Sequence, residues 1–439
     1  MLREFMSYLG SSVTPGQAGN ELWALIYVFV IFAGVAVIVL CMNWIERKAL
    51  AHFQIRLGPM RVGPHGLLQP FADALKLMLK EDIIPDEADA VVFWVAPVIG
   101  LLAAFTVYIV IPFGPSQAVT DMNIGILFML GVSSLGVLGI VTAGWASNSH
   151  YPLIGALRSS AQMVSYEVAM GMAILSAILL TSLHGVGIYG VSGNGDTGTL
   201  SMIGIVQAQQ EQHVWFLFKF FPLGFIAFAI FAIAMVAETN RAPFDLPEAE
   251  SELTAGFHTE YSGLRWSLFM LGEYAAMVAV SSIAVTLWLG GWMHPFPNLL
   301  NGPAWEFIFS LFPGLTFGAL AAIAFLGTAR MPSHSFFRIQ RAGLAVFAAL
   351  IGLIALFLLV IAVAGRANDT SIAARFREGI DYIYWFMLKV AVFMYLFIWY
   401  RATWPRYRFD QLMKVGWKVM LPISLGVLIL TAIVGVLLP

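Results

Sequence analysis

The sequence predicts an all-α fold, a polytopic transmembrane helical bundle with about ten spans and one amphipathic helix on the membrane surface. Three observations support this fold class. Of the 439 residues, 60% are hydrophobic and only 11% are charged, whereas a soluble domain carries about 25% charged residues. Apolar runs of about 20 residues, the length that crosses the hydrocarbon core, recur along the chain. The loops between them carry positive charge mainly on one side.

Each apolar run is near 20 residues long and is predicted to form a membrane-spanning helix. An even number of spans places both termini on the same side of the membrane. The first run, beginning at Leu22, is too long for the apolar region of a cleaved signal peptide, so we expect a membrane anchor there. The ten predicted runs are 22–43, 91–112, 124–146, 164–183, 217–237, 267–290, 305–327, 342–364, 382–400 and 419–438.

The distribution of lysine and arginine predicts the orientation. With both termini outside, seventeen of these residues fall on inner loops and five on the outer side, while Lys389 lies within a span. Inner loops of membrane proteins carry such an excess. We therefore expect the termini on the periplasmic side and the loops 44–90 and 238–266 in the cytoplasm, with 1–439 forming a single integral membrane domain.

Composition excludes several function classes. The single cysteine, Cys41, rules out disulfide frameworks, iron–sulfur clusters and cysteine zinc sites. None of the eight histidines lies deep inside an apolar run, which argues against a haem held between helices. No G-x-G-x-x-G follows a strand, no P-loop is present, and no basic tract favours nucleic acid. We expect this chain to bind no metal or electron-carrying cofactor and no nucleic acid.

The most informative stretch follows the fifth apolar run and spans residues 237–252, here called the acidic elbow. This stretch contains five carboxylates and a single cation, Arg241, and Glu260 follows a few residues later. Pro243 and Pro247 prevent one continuous helix, and Pro247 is predicted to begin a new one. The carboxylates of the elbow are Glu238, Asp245, Glu248, Glu250 and Glu252.

Mutual repulsion gives this elbow a chemical property. Two carboxylates about 4 Å apart repel by about 4 kcal/mol at an effective dielectric constant near 20. A partly dehydrated group of acids therefore cannot stay fully ionised at neutral pH, and it exchanges protons when a nearby charge changes. The alternative is an acidic cytoplasmic loop that only caps a helix.

Other carboxylates lie within or beside apolar runs. Glu167 is near the inner end of the fourth run and Glu273 lies inside the sixth. Carboxylates in such positions are costly and usually face a polar cavity. Snorkelling to the membrane surface is the alternative for Glu167. Together with Glu46 and Glu238, these residues are predicted to form an acidic trail near the inner half of the membrane.

The first inner loop, 44–90, contains structure of its own. Gly-Pro pairs at 58–59 and 63–64 predict tight turns. After Pro70, the apolar side chains at 71, 75, 78 and 79 share one helical face, which predicts an amphipathic helix on the membrane surface. A helix packed against a partner protein fits the same pattern.

Residues 237–263, AETNRAPFDLPEAESELTAGFHTEYSG, closely resemble the signature of the H-type membrane component family of bacterial NADH:quinone oxidoreductase (respiratory complex I), which is homologous to mitochondrial NADH dehydrogenase subunit 1. Residues 46–76 and 399–418 resemble two further motifs of this family. The resemblance covers roughly 20–295 and 380–438. The region 295–380 departs from the family core of eight helices by two extra apolar runs, and we interpret it as an inserted pair that packs against a partner subunit.

The resemblance implies a membrane subunit that forms the quinone-binding tunnel with the peripheral arm and couples quinone reduction to proton translocation. It implies no catalysis by this chain alone. Quinone is then the substrate, and FMN and iron–sulfur clusters are expected in partner subunits. The implied partners are the other membrane subunits, the quinone-proximal peripheral subunits and lipids of the bacterial inner membrane.

The resemblance also implies roles for individual residues, with Arg47 and Arg241 balancing the acid group. The implied quinone tunnel and entrance residues are Arg47, Asp73, Lys76, Arg241, Phe244 and Asp245. The implied proton relay consists of Glu46, Glu167, Glu238, Glu248, Glu250, Glu252, Glu260 and Glu273.

Two alternatives remain open at this point. The equivalent subunit of a membrane-bound hydrogenase or a cofactor-F420-type dehydrogenase shares the fold and parts of the motifs. A stand-alone ion-coupled transporter predicts internal repeats and interrupted helices in matching halves. The acids of this chain concentrate instead in a cytoplasmic loop.

Overall fold

A computed structural model describes the backbone of residues 18–115, 117–182, 199–246, 254–295, 303–329, 335–367 and 372–437. Throughout these ranges the regular structure is helical. Nine of the described helices are long and apolar enough to cross a membrane. The predicted fold class, a polytopic helical membrane bundle, is therefore confirmed.

The helices are numbered in chain order. They are α1 Ala18–Phe53, α2 Gln69–Leu79, α3 Ala90–Thr106, α4 Gly125–Ala146, α5 His150–Ser182, α6 Met202–Glu211, α7 Leu223–Glu238, α8 Gly263–Trp288, α9 Pro303–Ala329, α10 Ser335–Ala367, α11 Ile372–Thr403, α12 Phe409–Val415 and α13 Leu421–Leu437. A π turn, Gly416–Met420, joins α12 to α13, so that these two form one candidate span.

Nine of the ten predicted apolar runs coincide with candidate membrane spans over their described residues, and the fifth corresponds to a shorter helix. The prediction covers 217–237, but α7 has 16 residues and begins at Leu223. The preceding residue, Pro222, has no N–H to donate, and Phe220 has a left-handed backbone with φ 49°. The helix α6 is absent from the sequence prediction. Its start is nevertheless marked by Ser201, whose hydroxyl accepts the N–H of Gly204 at 3.2 Å as an N-cap.

The predicted surface helix after Pro70 is present as α2. Its apolar side chains Phe71, Leu75, Met78 and Leu79 are all exposed within the chain. This arrangement fits a helix whose apolar face is covered by lipid or by a partner.

Contacts divide the chain into two units, and residues 1–39, 76–291 and 389–439 form the first. Within this unit the rings of Phe93 and Tyr261 stack with centroids 3.9 Å apart. Phe257 and Phe269 pack edge to face beside them, at 5.3 Å. The helices around these rings meet through alanines 96, 143, 146 and 156. Small residues let helix backbones approach closely where no water drives association.

A buried arginine fixes the start of α8 in this unit. Arg265 is 2% exposed and donates from Nε and Nη2 to one carboxylate oxygen of Asp82, at 2.8 and 2.5 Å. Its guanidinium lies over the rings of Phe93 and Trp94, 5.0 and 4.3 Å from their centroids. These contacts compensate the buried charge and hold the start of α8 against the segment before α3.

Residues 40–75 and 292–388 form the second unit. Here α9 and α10 pair antiparallel along most of their length. A Cβ built on Gly314 would lie 2.6 Å from Cγ of Leu359, and one on Gly318 would lie 3.9 Å from Cβ of Ala355. The Gly314-x-x-x-Gly318 motif of the sequence thus faces the neighbouring helix, as small-residue motifs in membrane helices do.

The contact between α4 and α5 generates a stability prediction. A Cβ on Gly144 would lie 2.7 Å from the carbonyl oxygen of Pro152 and would also collide with Cβ of Ala156, whereas one on Gly131, in the same helix, would meet nothing within 4 Å. We expect Gly144→Ala to destabilise the protein by about 1–3 kcal/mol through overpacking. Thermal unfolding of the detergent-solubilised protein measures this effect. Gly131→Ala is the matched control, and equal unfolding midpoints for the two variants would contradict the packing.

Candidate functional site

The acidic elbow begins where α7 stops. Asn240 adopts a left-handed backbone with φ 49°. Its N–H donates to the carbonyl of Ala237, and the N–H of Arg241 donates to the carbonyl of Val236, both at 3.3 Å. A left-handed residue just beyond the last turn is a common helix stop, and asparagine tolerates this conformation better than other non-glycine residues. The stop turns the chain so that Glu238 and Arg241 stay beside the membrane helices.

Gln162 on α5 holds this turn from the side. It is 0% exposed, and its Nε2 donates to the carbonyls of Ala237 and Phe244 at 2.7 and 2.8 Å. The same nitrogen lies 3.3 Å from Oδ1 of Asn240. One buried amide therefore ties together the end of α7 and the segment that follows. Sequence reasoning misses Gln162, because a single glutamine in an apolar helix carries no sign of its distant partners.

Arg241 and Glu273 form an ion pair between the elbow and α8. Nη2 and Nε of Arg241 lie 3.4 Å from the two carboxylate oxygens of Glu273. The guanidinium also lies over the ring of Tyr274, 4.2 Å from its centroid. Arg241 is 7% exposed. These distances exceed the roughly 2.7–2.9 Å of a tight charge-assisted hydrogen bond.

The carboxyl of Glu238 has fewer described stabilising contacts than that of Glu273. Among the described residues, its Oε2 has no hydrogen-bond partner although this atom is buried. The carboxyl of Glu167 on α5 interacts with it electrostatically. A buried carboxylate beside a second carboxylate is costly to ionise, since both desolvation and repulsion oppose the negative charge.

Glu238 and Glu273 line one cavity, which we call the elbow cavity. Its volume is about 120 Å³, which is room for several water molecules. Polar side chains at its wall include Ser133, Thr239 and Asn240, and the remaining wall is mostly apolar. The residues come from α3, α4, α5, α7 and α8, and the apolar ones include Ala103, Ala104, Val107, Met129, Met163, Met170, Ile174, Phe231, Phe269, Val280 and Ile283.

Residues 243–245 of the elbow pack on the arginine-rich and aromatic motif that follows α11. Asp245 is 4% exposed, and Nη2 of Arg406 donates to its Oδ2 at 3.0 Å. The N–H of Tyr407 donates to the carbonyl of Pro243 at 3.2 Å, and its ring stacks on Phe244 with centroids 5.6 Å apart. Two stretches about 160 residues apart in the sequence thus form one surface.

The residues predicted for the quinone entrance lie on α1 and α2. Nη1 of Arg47 and Oδ2 of Asp73 form an ion pair at 2.6 Å. Gln69 donates to the other carboxylate oxygen of Asp73 at 3.0 Å. The side chain of Lys76 is exposed on the same helix as Asp73. Arg47, expected to balance the acid group, has Asp73 as its described ion-pair partner.

The other predicted relay residues divide into three groups. Glu46 is 4% exposed on α1. Glu260 is half-buried beyond the turn Gly256–His258 and is not among the described residues that line the elbow cavity. Glu248, Glu250 and Glu252, with the helix predicted to start at Pro247, lie outside the described residues.

Metal binding finds no support in the part of the chain that the structure describes. In these ranges, no three His, Cys, Asp or Glu side chains converge in a way that would hold a metal ion. The carboxyls at the elbow cavity are instead candidates for proton exchange, because Glu238 has a buried carboxylate oxygen that interacts with the carboxyl of Glu167, and Glu273 pairs with Arg241.

Comparisons with known proteins agree with the resemblance carried by the elbow. The first of these relatives is an H-type chain of NADH-quinone oxidoreductase from Koribacter versatilis, which is 64% identical over 436 residues, 99% of this chain and 97% of that protein. An H-type chain of the same enzyme from Solibacter usitatus is 45% identical over 400 residues, 90% of this chain and 91% of that protein. The H-type chain of Rhodospirillum centenum is 40% identical over 391 residues, 88% and 86% of the two proteins.

A family model described as NADH dehydrogenase matches residues 26–432, and therefore includes both α9 and α10 and the whole elbow. The resemblance predicted from residues 237–263 is confirmed, and a hydrogenase-type or transporter-type identity is not favoured. The chain belongs to the NADH dehydrogenase family.

Proposed function

We propose that this chain is the H-type membrane component of a proton-translocating NADH:quinone oxidoreductase, in which it supplies the membrane wall of the quinone tunnel and passes protonation changes into the membrane arm. The observation that carries the proposal is the buried carboxyl of Glu238 at the elbow cavity, beside Glu167 and the Arg241–Glu273 pair. The relatives that match nearly the whole chain bear the name of this component.

The relay begins with charge at the quinone. Reduction of quinone adds electrons and creates a demand for protons in the adjoining tunnel. A negative charge near the elbow attracts Arg241 and weakens its hold on Glu273, which leaves less positive charge to stabilise the carboxylates. One carboxyl of the group, Glu238 or Glu273, then takes up a proton, because two ionised carboxylates in a poorly hydrated cavity repel by several kcal/mol.

Proton transfer from this cavity continues through neighbouring carboxyls. Glu167 interacts electrostatically with Glu238 and is half-buried on α5. Ionisation of Glu238 therefore raises the cost of ionising Glu167, and protonation of Glu238 lowers it. This mutual dependence moves a charge change along the carboxyls without any cofactor in this chain. Glu46, Glu248, Glu250, Glu252 and Glu260 extend the proposed relay.

The quinone entrance is proposed at α2 and the loop that precedes it. The exposed apolar side chains of α2 suit contact with lipid, from which a hydrophobic quinone arrives. The Arg47–Asp73 pair gives that entrance a polar rim. Lys76 belongs to the same rim, and Phe244 and Asp245 belong to the tunnel side of the elbow.

The wider assembly follows from the same proposal. Electrons arrive from FMN and iron–sulfur clusters in the peripheral subunits, so the chain is not catalytic alone. The acidic elbow and the arginine-rich loop after α11 face the cytoplasm, with both termini on the periplasmic side of the bacterial inner membrane. Other membrane subunits and lipids cover the exposed apolar faces.

Replacing Glu238 by Gln tests the relay. Gln keeps the size of the side chain but removes the exchangeable proton. We expect quinone-coupled proton pumping in inside-out membrane vesicles to fall by at least about tenfold while the complex still assembles. Glu211→Gln, a change at an exposed residue at the end of α6, is the matched control and should leave pumping intact. Wild-type pumping in a fully assembled Glu238→Gln complex would refute the role of Glu238.

Replacing Arg241 by Met tests the coupling between charge and quinone reduction. Removing the cation that faces Glu273 leaves negative charge beside the cavity, and we expect the quinone-reduction rate to fall about tenfold. The double variant Arg241→Met/Glu273→Gln removes both charges and should recover part of this rate. Steady-state NADH:quinone reductase assays measure both variants. An unaltered rate in Arg241→Met, or no recovery in the double variant, would count against the pair.

A further inference from the structure

The turn between α1 and α2, residues 58–68, contains three residues with a left-handed backbone. We call it the entrance loop. Gly63 and Gly66 have φ of 71° and 75°, and His65, which is not glycine, has φ of 52°. A Cβ on Gly66 would collide with the carbonyl of Pro59. This left-handed conformation is unfavourable for histidine and persists only where surrounding groups impose it.

One side chain of α10 bonds to this loop at two backbone groups. Gln340 is 9% exposed, and its Nε2 donates to the carbonyl of Met60 at 2.7 Å. Its Oε1 accepts the N–H of His65 at 3.1 Å. The amide of Gln340 therefore joins two backbone groups on opposite sides of the Gly63-Pro64 turn.

Other contacts within the same unit complete the support. The indole Nε1 of Trp44 donates to the carbonyl of His65 at 3.3 Å, so that both the N–H and the C=O of this residue are held. Nζ of Lys48 lies 2.9 Å from Sδ of Met60. On α10, one turn beyond Gln340, a Cβ built on Gly343 would lie 3.1 Å from Cγ of Pro64. Gly343 thus allows α10 to approach the turn closely enough for Gln340 to reach it.

We propose that Gln340 is a positioning residue for quinone entry, which clamps the entrance loop in its left-handed conformation from a helix of the region 295–380. The inference rests on the proposed function for its assignment of this loop to the quinone entrance. It gives the extra helix pair a role, because α10 supplies a donor to the carbonyl of Met60 and an acceptor for the N–H of His65.

The chemistry of the amide explains why this position needs glutamine. Leu has similar bulk and can make neither bond. Glu can accept the N–H of His65 but cannot donate to the carbonyl of Met60 while ionised. Asn carries both groups on a side chain shorter by one methylene and cannot span both partners from the same backbone. We therefore expect Leu to release the loop fully and Glu to release it in part.

The experiment uses the complete complex in membranes and compares Gln340→Leu with Gly314→Val. Gly314 lies against Leu359 in the contact of α9 with α10, away from the entrance loop. This control disturbs the helix pair without touching the clamp. The first readout is hydrogen–deuterium exchange of the peptide that contains residues 58–68. The second is the KM and kcat of NADH:quinone reduction, normalised by NADH oxidation with ferricyanide, which reports the amount of assembled complex.

For Gln340→Leu we expect exchange of the His65 amide to rise about tenfold and the KM for quinone to rise about fivefold, with kcat nearly unchanged, as the loss of one or two net hydrogen bonds implies. Gln340→Glu should give a smaller rise, and Gly314→Val should leave both readouts at the wild-type value. Equal effects of Gln340→Leu and Gly314→Val would overturn the proposal, because they would indicate a general loss of structure.

Asp73→Asn separates a failure of the clamp from a failure of the proposed entrance. If Asp73→Asn raises the KM for quinone and Gln340→Leu does not, the entrance stands and the clamp is refuted. If Gln340→Leu speeds exchange in the loop but neither variant alters the KM, the loop does not serve quinone entry and both proposals fall.

Discussion

The physical constraint that organises this protein is the free-energy cost of ionising carboxyl groups that are removed from water at the acidic elbow. Glu238 has one carboxylate oxygen buried without a described hydrogen-bond partner, and Glu167 repels it. Arg241, three residues further along the elbow, pairs with Glu273 at 3.4 Å. Such a set of groups has no arrangement in which every acid is ionised and well compensated. We propose that its protonation responds to charge that approaches the elbow, which is the property a coupling site requires.

The residues around this group of acids restrain the backbone of the elbow. Gln162 holds the end of α7 and the following segment through one buried amide. Arg406 and Tyr407 fasten Asp245 and Phe244 to the loop after α11. Because the turn is held by uncharged and paired groups, a charge change moves protons and the Arg241 side chain more easily than it moves the backbone. Residues that are held in place by packing and hydrogen bonds keep titratable groups in a defined geometry, so that a nearby charge changes the protonation of particular carboxyls.

The features that the sequence predicts are those with local signals. Runs of about 20 apolar residues predict the spans, and the dense carboxylates with two prolines predict the elbow and its resemblance. What sequence reasoning misses depends on contacts between distant residues. Gln162 and Gln340 are polar residues without a local sequence signal, and their partners lie about 75 and 280 positions away. The helix α6 escapes prediction because its ten residues are too few for a span.

Infrared difference spectroscopy of the intact complex tests the central claim most directly, because it detects the C=O stretch of protonated carboxyl groups as quinone is reduced. Spectra of the wild type and of Glu238→Gln would be compared under identical conditions, with Glu211→Gln as the control. The account predicts a protonated-carboxyl band that changes on quinone reduction in the wild type and in the control, and is lost in Glu238→Gln. A band that persists unchanged in Glu238→Gln would contradict the claim that the buried carboxyl of Glu238 takes part in the protonation change.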